Sequence, residues 1–270
     1  MPVHPTAIVD PRAELDPSVV IGPYVVIEGP VRIGARTRVL ASAYLTGATE
    51  IGADNVIHPY AVLGHEPQDL AFSGAPTGLR IGDGNVFREH SEVHRGTQAG
   101  TSTEIGNGNF VMSHAHVAHN CRIGDRTIIA TGAALGGHVA VEDGAFISGN
   151  CVVHQHCRVG RLSILRGLAR TSRDLPPFAM IDDPHTVRGL NRVGLQRAGF
   201  DRERMRALEA AFRILFRVRT NLQLAMARVE ADISSPDVDY LLAFIRASRR
   251  GVAFGPARVP RGRSAEVAED

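Results

Sequence analysis

The sequence contains no lysine and no tryptophan, and aromatic residues make up only 5% of its 270 positions. No apolar run approaches the roughly 18 residues that a membrane-spanning helix needs. The segment after Met1 also lacks the basic and apolar stretches of a secretory signal peptide. We therefore expect a cytoplasmic protein with no stable membrane insertion. A hydrophobic content of 44% is nevertheless enough for a sizeable core.

Positive charge is carried by arginine alone and is concentrated towards the C-terminus. Residues 186–270 contain 16 arginines against 10 acidic residues, although the net charge of the whole chain is only +2. A basic segment of this kind is typical of a protein that binds an acidic partner. Nucleic acid is one such partner, but the sequence shows no recognised nucleic-acid motif and no aromatic residues interleaved with the arginines. We therefore expect no nucleic-acid binding.

A six-residue period is the strongest signal in the sequence. Counted in sixes from Ile105 in both directions, the positions from 3 to 165 carry Val, Ile, Leu or Phe, except at Asp69, Ala75 and Ala99. Hexapeptide repeats are typical of a parallel β-helix, in which about three repeats close one coil. Residues eighteen apart then stack at about 4.8 Å and touch. The period therefore predicts a β-helix over most of the chain.

The three cysteines, Cys121, Cys151 and Cys157, all fall at the fifth position of the repeat, which holds a small residue and points inward. Disulfides would in any case suit a more oxidising compartment than the cytoplasm. We expect core residues here, rather than catalytic nucleophiles or metal ligands.

Two loops interrupt the period. The first spans residues 64–80, contains Gln68-Asp69-Leu70, and ends where the repeat resumes in phase at Ile81. The second spans residues 95–101, follows His94, and also rejoins in phase. Loops that project from a rigid scaffold often carry function, so we expect a site near them.

Eight of the twelve histidines lie between residues 87 and 157, at outward positions of the repeat: His90, His94, His114, His116, His119, His138, His154 and His156. The spacing of Asn120, His138 and His156 predicts one vertical stack beside His119. A purely structural β-helix does not require so many imidazoles. The cluster indicates either acid–base chemistry or metal binding.

The repeat fades after Leu165, and Pro176-Pro177 ends it. We therefore divide the chain into a β-helix domain (1–178), a helical domain (179–250) and a disordered tail (251–270). Helices are predicted at 187–197, 202–219, 221–233 and 236–248, with Thr220 and Ser235 as N-caps of the last two. In the second helix, four arginines project within about 60° of one another, namely Arg202, Arg206, Arg213 and Arg217. This arginine stripe is either a solvated helix face or a docking site for an acidic protein.

Three motifs carry a resemblance to a known family: Gln68-Asp69-Leu70, His94-Arg95-Gly96-Thr97, and Asp-Leu-Pro-Pro-Phe at 174–178. With the hexapeptide repeat, they make the chain from residue 3 to about 250 similar to the acyl-carrier-protein-dependent UDP-N-acetylglucosamine O-acyltransferases that begin lipid A synthesis. The resemblance implies a left-handed β-helix and a homotrimer with the site between subunits. It also implies an acyl carrier protein and a UDP-sugar as partners, no cofactor beyond the carrier's phosphopantetheine, and no metal.

By this resemblance, His119 is the general base that takes the proton of the sugar 3-hydroxyl, and the backbone N–H of Gly137 stabilises the oxyanion. Gly167 matches the position that limits the length of the acyl chain. The implied substrate-binding residues are Asp69, His94, His116, His138, His154, Gln155, Gly167, His185, Asn191 and Arg197. The arginine stripe becomes the surface that binds the carrier protein.

Several positions differ from the pattern of the family, so other functions on the same fold also have to be considered. Ala71 replaces a lysine, Asn120 replaces an acid beside the base, and further differences occur at His156, Arg166 and Ala198. One alternative is N-acylation of a 3-amino UDP-sugar on the same fold. Others are a β-helical zinc enzyme of the carbonic-anhydrase type and a non-catalytic scaffold. The length of the acyl chain and the acceptor sugar stay undetermined at this point.

Overall fold

The computed structural model describes residues 3–182, 184–218 and 221–255. Its main body is a triangular prism of three parallel sheets, and the chain visits the sheets in turn. Because each strand pairs with the strand one coil away, the three sheets grow together along one axis. The predicted parallel β-helix is confirmed.

The strands are short, since each side of the triangle takes only part of a hexapeptide. The first sheet contains β1 (Ile8–Val9), β4 (Val26–Glu28), β7 (Tyr44–Thr46), β10 (Val62–His65), β13 (Glu92–His94), β16 (His116–Val117), β19 (Ala134–Leu135), β22 (Val152–Val153) and β25 (Arg170–Thr171). The second contains β2 (Glu14–Leu15), β5 (Arg32–Ile33), β8 (Ala48–Ile51), β11 (Gly78–Ile81), β14 (Ser102–Ile105), β17 (Arg122–Ile123), β20 (Ala140–Val141) and β23 (Arg158–Val159). The third contains β3 (Val20–Ile21), β6 (Arg38–Val39), β9 (Val56–Ile57), β12 (Val86–Phe87), β15 (Phe110–Val111), β18 (Ile128–Ile129), β21 (Phe146–Ile147), β24 (Ile164–Leu165), β26 (Ala179–Asp182) and β27 (Thr186–Leu190).

The register follows the predicted spacing of eighteen residues. Val117 lies opposite Leu135, and Leu135 lies opposite Val153. Across the first loop the partners are Leu63 and Val93, and across the second they are Val93 and Val117. The first loop therefore adds two hexapeptides and the second adds one. The aliphatic positions stay in phase before and after each loop.

The core is a continuous column of inward aliphatic side chains with a polar ladder beside it. The cysteines lie in this column, where Cys121, Cys151 and Cys157 are buried free thiols, as predicted. Burial raises the pKa of the Cys157 thiol to about 11, so the group stays protonated and unreactive near neutral pH.

The polar ladder runs through the buried side chains of Asn55, Asn85 and Asn109 and ends on Thr127. The Oδ1 atom of Asn55 accepts from the Asn85 N–H at 2.8 Å, and the Oδ1 atom of Asn85 accepts from the Asn109 N–H at 2.9 Å. The Oδ1 atom of Asn109 accepts from the Thr127 N–H at 2.7 Å. Each side chain thus pairs a buried backbone donor at a corner where the strand ladder has ended.

The C-terminal part corrects several predictions. Strand β26 pairs in parallel with β24, and β27 turns back antiparallel to β26, so the third sheet continues past residue 178 to Leu190. The helix predicted over 187–197 is therefore wrong in its first half, because Val187 and Leu190 are buried as strand residues against the end of the prism. The helix there is α1 (Arg192–Arg197).

Three further helices pack against this end: α2 (Arg202–Phe216), α3 (Leu222–Asp232) and α4 (Pro236–Arg246). They confirm the remaining helix predictions. The N-cap of α3 is Asn221, whose side chain accepts from the Gln223 N–H; the predicted cap, Thr220, lies outside the described residues. Ser235 is the N-cap residue of α4, but its side chain makes no capping hydrogen bond.

The start of the predicted disordered tail is ordered. Val252 forms a β-bridge with Asp174, and Phe254 forms one with Thr186. The rest of that prediction, residues 256–270, falls outside the described part of the chain. None of the described helices has the length and the apolar character required to cross a membrane.

We predict that Asn85→Leu destabilises the prism without changing its architecture. The change leaves the buried N–H of Asn109 without its acceptor, which costs about 1–3 kcal/mol. Thermal unfolding followed by circular dichroism should show a lower midpoint for this variant. Gln223→Leu, which also replaces a side-chain amide by leucine but at an exposed position of α3, is the control and should leave the midpoint unchanged. Equal midpoints for Asn85→Leu and the parent protein would contradict a stabilising role of the ladder.

Candidate active site

His119 lies at the corner that follows β16, and the two loops bring polar groups to it. Its side chain is 12% exposed, and its Nε2 atom lies 3.9 Å from a carboxylate oxygen of Asp69 in the first loop. On the other side of the ring, Nδ1 lies 3.0 Å from the Oδ1 atom of Asn120. The imidazole is therefore held between one residue of a loop and one residue of its own coil.

The hydrogen bonds of Asn120 decide which nitrogen of His119 carries the proton. The Oδ1 atom of Asn120 also accepts from the backbone N–H of Thr97 at 3.1 Å and from its hydroxyl at 2.9 Å. Because a backbone N–H only donates, the Asn120 atom in this position is the oxygen. His119 must then donate from Nδ1, which leaves the lone pair on Nε2. The base nitrogen is directed towards Asp69.

Gly137 lies against the ring of His119, one coil further along. A Cβ at this position would fall 2.5 Å from Nε2, so no larger residue fits without displacing the imidazole. The Gly137 carbonyl accepts from the His156 N–H at 2.9 Å, whereas no described residue accepts from the Gly137 N–H. That N–H is available to a ligand, as the proposed oxyanion donor requires.

The predicted stack of outward residues forms. Asn120, His138 and His156 occupy the same corner of three coils, each with a positive φ of about 60° that Asn and His tolerate better than most residues. The rings of His138 and His156 stack at 4.6 Å between centroids, and the ring of His119 meets His138 edge-on at 5.3 Å. Burial, followed by the nearby charges of His156 and His119, lowers the pKa of His138.

His94 and His116 lie on neighbouring strands of the first sheet, just before this corner. The Nδ1 atom of His94 lies 2.5 Å from the backbone carbonyl of Glu66, and burial lowers the pKa of the ring. The Nδ1 atom of His116 lies 3.2 Å from a carboxylate oxygen of Glu92. Both predicted substrate-binding histidines therefore lie in the same region as His119, together with an acid that the sequence analysis did not single out.

The remaining predicted residues lie on later coils or at the C-terminal end. His154 and Gln155 are exposed on the coil after Gly137, and Gly167 is exposed at a different corner, after β24. The Nδ1 atom of His185 accepts from the Ser172 N–H beside β25, three strands of the first sheet beyond β16 and so about 14 Å along the axis. Within this one chain, the structure does not bring His185 to His119.

Asn191 and Arg197 belong to the two ends of α1. The side chain of Asn191 accepts from the Gly194 N–H at 3.1 Å and donates to the Leu162 carbonyl at 2.9 Å, so it caps the helix and ties it to the prism. Arg197 is exposed in the last turn. The substrate contacts proposed for both residues stay predictions.

The arginine stripe is exposed along α2, as its spacing predicts. Among the described residues, no carboxylate lies within ion-pair distance of Arg202, Arg206, Arg213 or Arg217. By contrast, Arg204 on the same helix is held by Asp237 at 2.7 Å. Arg213 and Arg217 also line a groove of about 360 Å³ between β27 and α2, with Phe212 and Phe216. The stripe keeps its charge available to a partner.

Two residues that hold the site escaped functional assignment from the sequence. Thr97, which binds Asn120, lies inside the quoted His-Arg-Gly-Thr run, so the motif contained the signal. Thr103, whose hydroxyl accepts from the Asn120 N–H at 2.8 Å, lies on β14 and carries no such signal. The sequence does not indicate this contact, because Thr103 and Asn120 come together only where two coils meet at the corner.

Family profiles match two parts of the chain. The profile of bacterial transferase hexapeptide repeats matches residues 102–137, and the second domain of UDP-N-acetylglucosamine O-acyltransferase matches residues 174–253. The β-helix, the repeat and the histidine site thus define a hexapeptide-repeat acyltransferase.

Curated relatives extend the match over nearly the whole chain. An acyl-[acyl-carrier-protein]–UDP-N-acetylglucosamine O-acyltransferase of Anaeromyxobacter is 44% identical over 93% of this chain and 99% of its own length. The enzyme of that name from Thermodesulfovibrio yellowstonii is 43% identical over 93% and 98% of the two chains. The solved UDP-N-acetylglucosamine acyltransferase of Bacteroides fragilis superposes with a TM-score of 0.90 at 36% identity, covering 93% of this chain and 99% of that one. The Arabidopsis structure has a TM-score of 0.86 at 34% identity, with the same coverage.

These likenesses confirm the resemblance that the motifs indicated, and with it the left-handed β-helix. The chain belongs to the family of acyl-[acyl-carrier-protein]–UDP-N-acetylglucosamine O-acyltransferases.

We predict that His156→Gln raises the pKa of His138. The change removes a positive charge and an imidazole that covers the ring, and both now disfavour the charged form of His138. Titration of the ring by NMR should show the midpoint moving to higher pH. His154→Gln, which changes an exposed histidine that does not stack on His138, is the control and should leave it unmoved. A midpoint that stays constant or falls in His156→Gln would contradict the coupling.

Proposed function

We propose that the protein transfers a (3-hydroxy)acyl chain from acyl carrier protein to the 3-hydroxyl of UDP-N-acetylglucosamine in lipid A biosynthesis, with His119 as the general base. The observation that carries the proposal is the fixed tautomer of His119. A base must present a lone pair to the proton that it takes, and the hydrogen bond from Nδ1 to Asn120 leaves that lone pair on Nε2.

The position of Asp69 favours the binding of a hydroxyl group beside this nitrogen. The gap of 3.9 Å between Nε2 and the Asp69 carboxylate allows one hydroxyl group to approach Nε2 and donate its single proton to this nitrogen. Nε2 takes the proton as the sugar oxygen attacks the thioester carbonyl. The N–H of Gly137 then donates to the oxyanion, and the imidazolium returns its proton to the departing thiolate of the pantetheine.

The residue that holds the imidazole of His119 is an amide, Asn120, and not an acid. An amide oxygen orients the ring and selects its tautomer, but it supplies no negative charge to the imidazolium. A neutral amine attacks without prior loss of a proton, so N-acylation of a 3-amino UDP-sugar makes a weaker demand on the base. Assays should therefore offer both acceptors, and the family match favours the hydroxyl sugar.

The proposal extends to the partners. The arginine stripe, which no described carboxylate neutralises, supports docking of an acidic carrier protein on α2, and phosphopantetheine delivers the acyl chain without a further cofactor. His154, Gln155 and the other distant positions would contact substrate across a subunit boundary if the chain assembles as the homotrimer that the resemblance implies. We also propose that the reaction takes place in the cytoplasm.

We predict that His119→Gln lowers turnover by at least about 100-fold, since removal of a general base typically costs about 10² to 10⁴-fold. The test is mass spectrometry of products formed from acyl carrier protein and UDP-N-acetylglucosamine. Stability should change little, because the ring contributes to no aliphatic core. His90→Gln, an outward histidine on another corner, is the matched control. Turnover of His119→Gln within a few-fold of the parent would exclude this residue as the base.

We also predict that Arg206→Glu combined with Arg213→Glu raises the KM for the carrier protein and leaves the KM for the UDP-sugar unchanged. The difference should shrink at about 1 M salt, where the Debye length is about 3 Å. Arg12→Glu with Arg38→Glu makes the same change of net charge on the N-terminal coils and serves as the control. If the KM values of both substrates rise equally, or if the control pair acts as strongly, the stripe is only a solvated face.

A further inference from the structure

Three potential metal ligands lie together on the outer face of the first sheet. Glu92 and His116 are directly opposed on β13 and β16, and His94 lies two residues after Glu92 on the same face of β13. One ligand atom from each side chain lies within 4.8 Å of the other two. The pairing of neighbouring coils therefore brings two imidazoles and one carboxylate together without any distortion of the sheet.

The Nε2 atom of His94 is the unusual member of this group. The side chain is 7% exposed, and Nε2 is buried with no hydrogen-bond partner in the described part of the chain. The Glu66 carbonyl can only accept, so the proton of His94 must be on Nδ1. Nε2 therefore carries a lone pair, and it points towards a Glu92 carboxylate oxygen 3.9 Å away. Both atoms are acceptors, so the buried Nε2 atom has lost its contact with water and gains nothing in return unless a cation or a donor lies between them.

A surface ion pair would account for part of the arrangement. The Nδ1 atom of His116 lies 3.2 Å from the same Glu92 oxygen, and these two side chains are 25% and 45% exposed. Such a pair needs no third residue, however, and it leaves the lone pair of His94 unexplained. A single cation placed among the three side chains accounts for all of them.

We propose that Glu92, His94 and His116 form a binding site for a divalent transition-metal ion, with Zn²⁺ as the ion that suits them best. Two imidazole nitrogens and one carboxylate oxygen are a common set of three protein ligands for zinc and leave the fourth position open. Softer thiolate ligands are not involved, and carboxylate-poor sets of this kind are unfavourable for Ca²⁺ or Mg²⁺.

The distances require the three side chains to move closer together, since their ligand atoms lie within 4.8 Å of one another. Bonds of about 2.0–2.1 Å in a tetrahedral site place ligand atoms about 3.3 Å apart. The separation between Glu92 and His116 is already 3.2 Å, and that between Glu92 and His94 is 3.9 Å. The exposed carboxylate of Glu92 is free to turn inward by the difference. The Glu66 carbonyl completes the arrangement, because metal-bound histidines usually donate their other N–H to such a group.

The experiment measures metal binding to the whole protein without substrate, so its result is independent of the transferase assay. Protein freed of metal with a chelator is titrated with ZnCl₂ by calorimetry, and Co²⁺ is used in parallel for its visible absorption. We expect one ion per chain. Glu92→Gln should weaken binding at least tenfold, and His116→Gln should abolish it, whereas His114→Gln, an exposed histidine outside the cluster, should have no effect.

Circular dichroism melts establish that each variant is folded before its titration is interpreted. Anomalous diffraction from the parent protein soaked in ZnCl₂ locates the ion without any substitution. Absence of binding by the parent, an ion located at His138 and His156, or affinities unchanged in folded Glu92→Gln and His116→Gln would each overturn the proposal. An ion located among Glu92, His94 and His116 would establish it.

Discussion

Parallel pairing between one coil and the next is the interaction on which the rest of this protein depends. Each strand has only a few residues and would not be stable alone, so it gains its hydrogen bonds and its buried neighbours from the coils above and below. The inward position of every hexapeptide must then be apolar, and the corners must accept a positive φ. Both demands follow from the closure of a triangle with short sides.

The same constraint builds the site. Positions eighteen residues apart lie directly above one another at the same corner. Asn120, His138 and His156 therefore form a column without any dedicated loop. The loops then supply what the column lacks, namely the carboxylate of Asp69 and the hydroxyl and N–H of Thr97. A rigid frame thus positions the base, while the loops set its tautomer and its surroundings.

Much of the fold and of the site was predictable, because the six-residue period can be read directly from the residue at each position. The aliphatic column, the buried cysteines, the two loops and the histidine stack all follow from spacing. The error at 187–197 arose because Val187 and Leu190 suit a helix or a strand equally well, and pairing with β26 decided the outcome. The burial of His94 under the Glu66 carbonyl was also beyond prediction, since it depends on how a loop without a repeat folds back onto the prism.

The in-phase loops have a consequence for how such a chain can change in length. Because they add whole hexapeptides, the aliphatic residues from Ile81 and from Ile105 onward stay at the inward position of the repeat. An insertion of any other size, if it were not absorbed at a corner, would shift all later aliphatic residues away from the interior. Within the coils, insertions and deletions therefore have to preserve the six-residue period, whereas a loop that leaves the prism and rejoins it is free of this restriction.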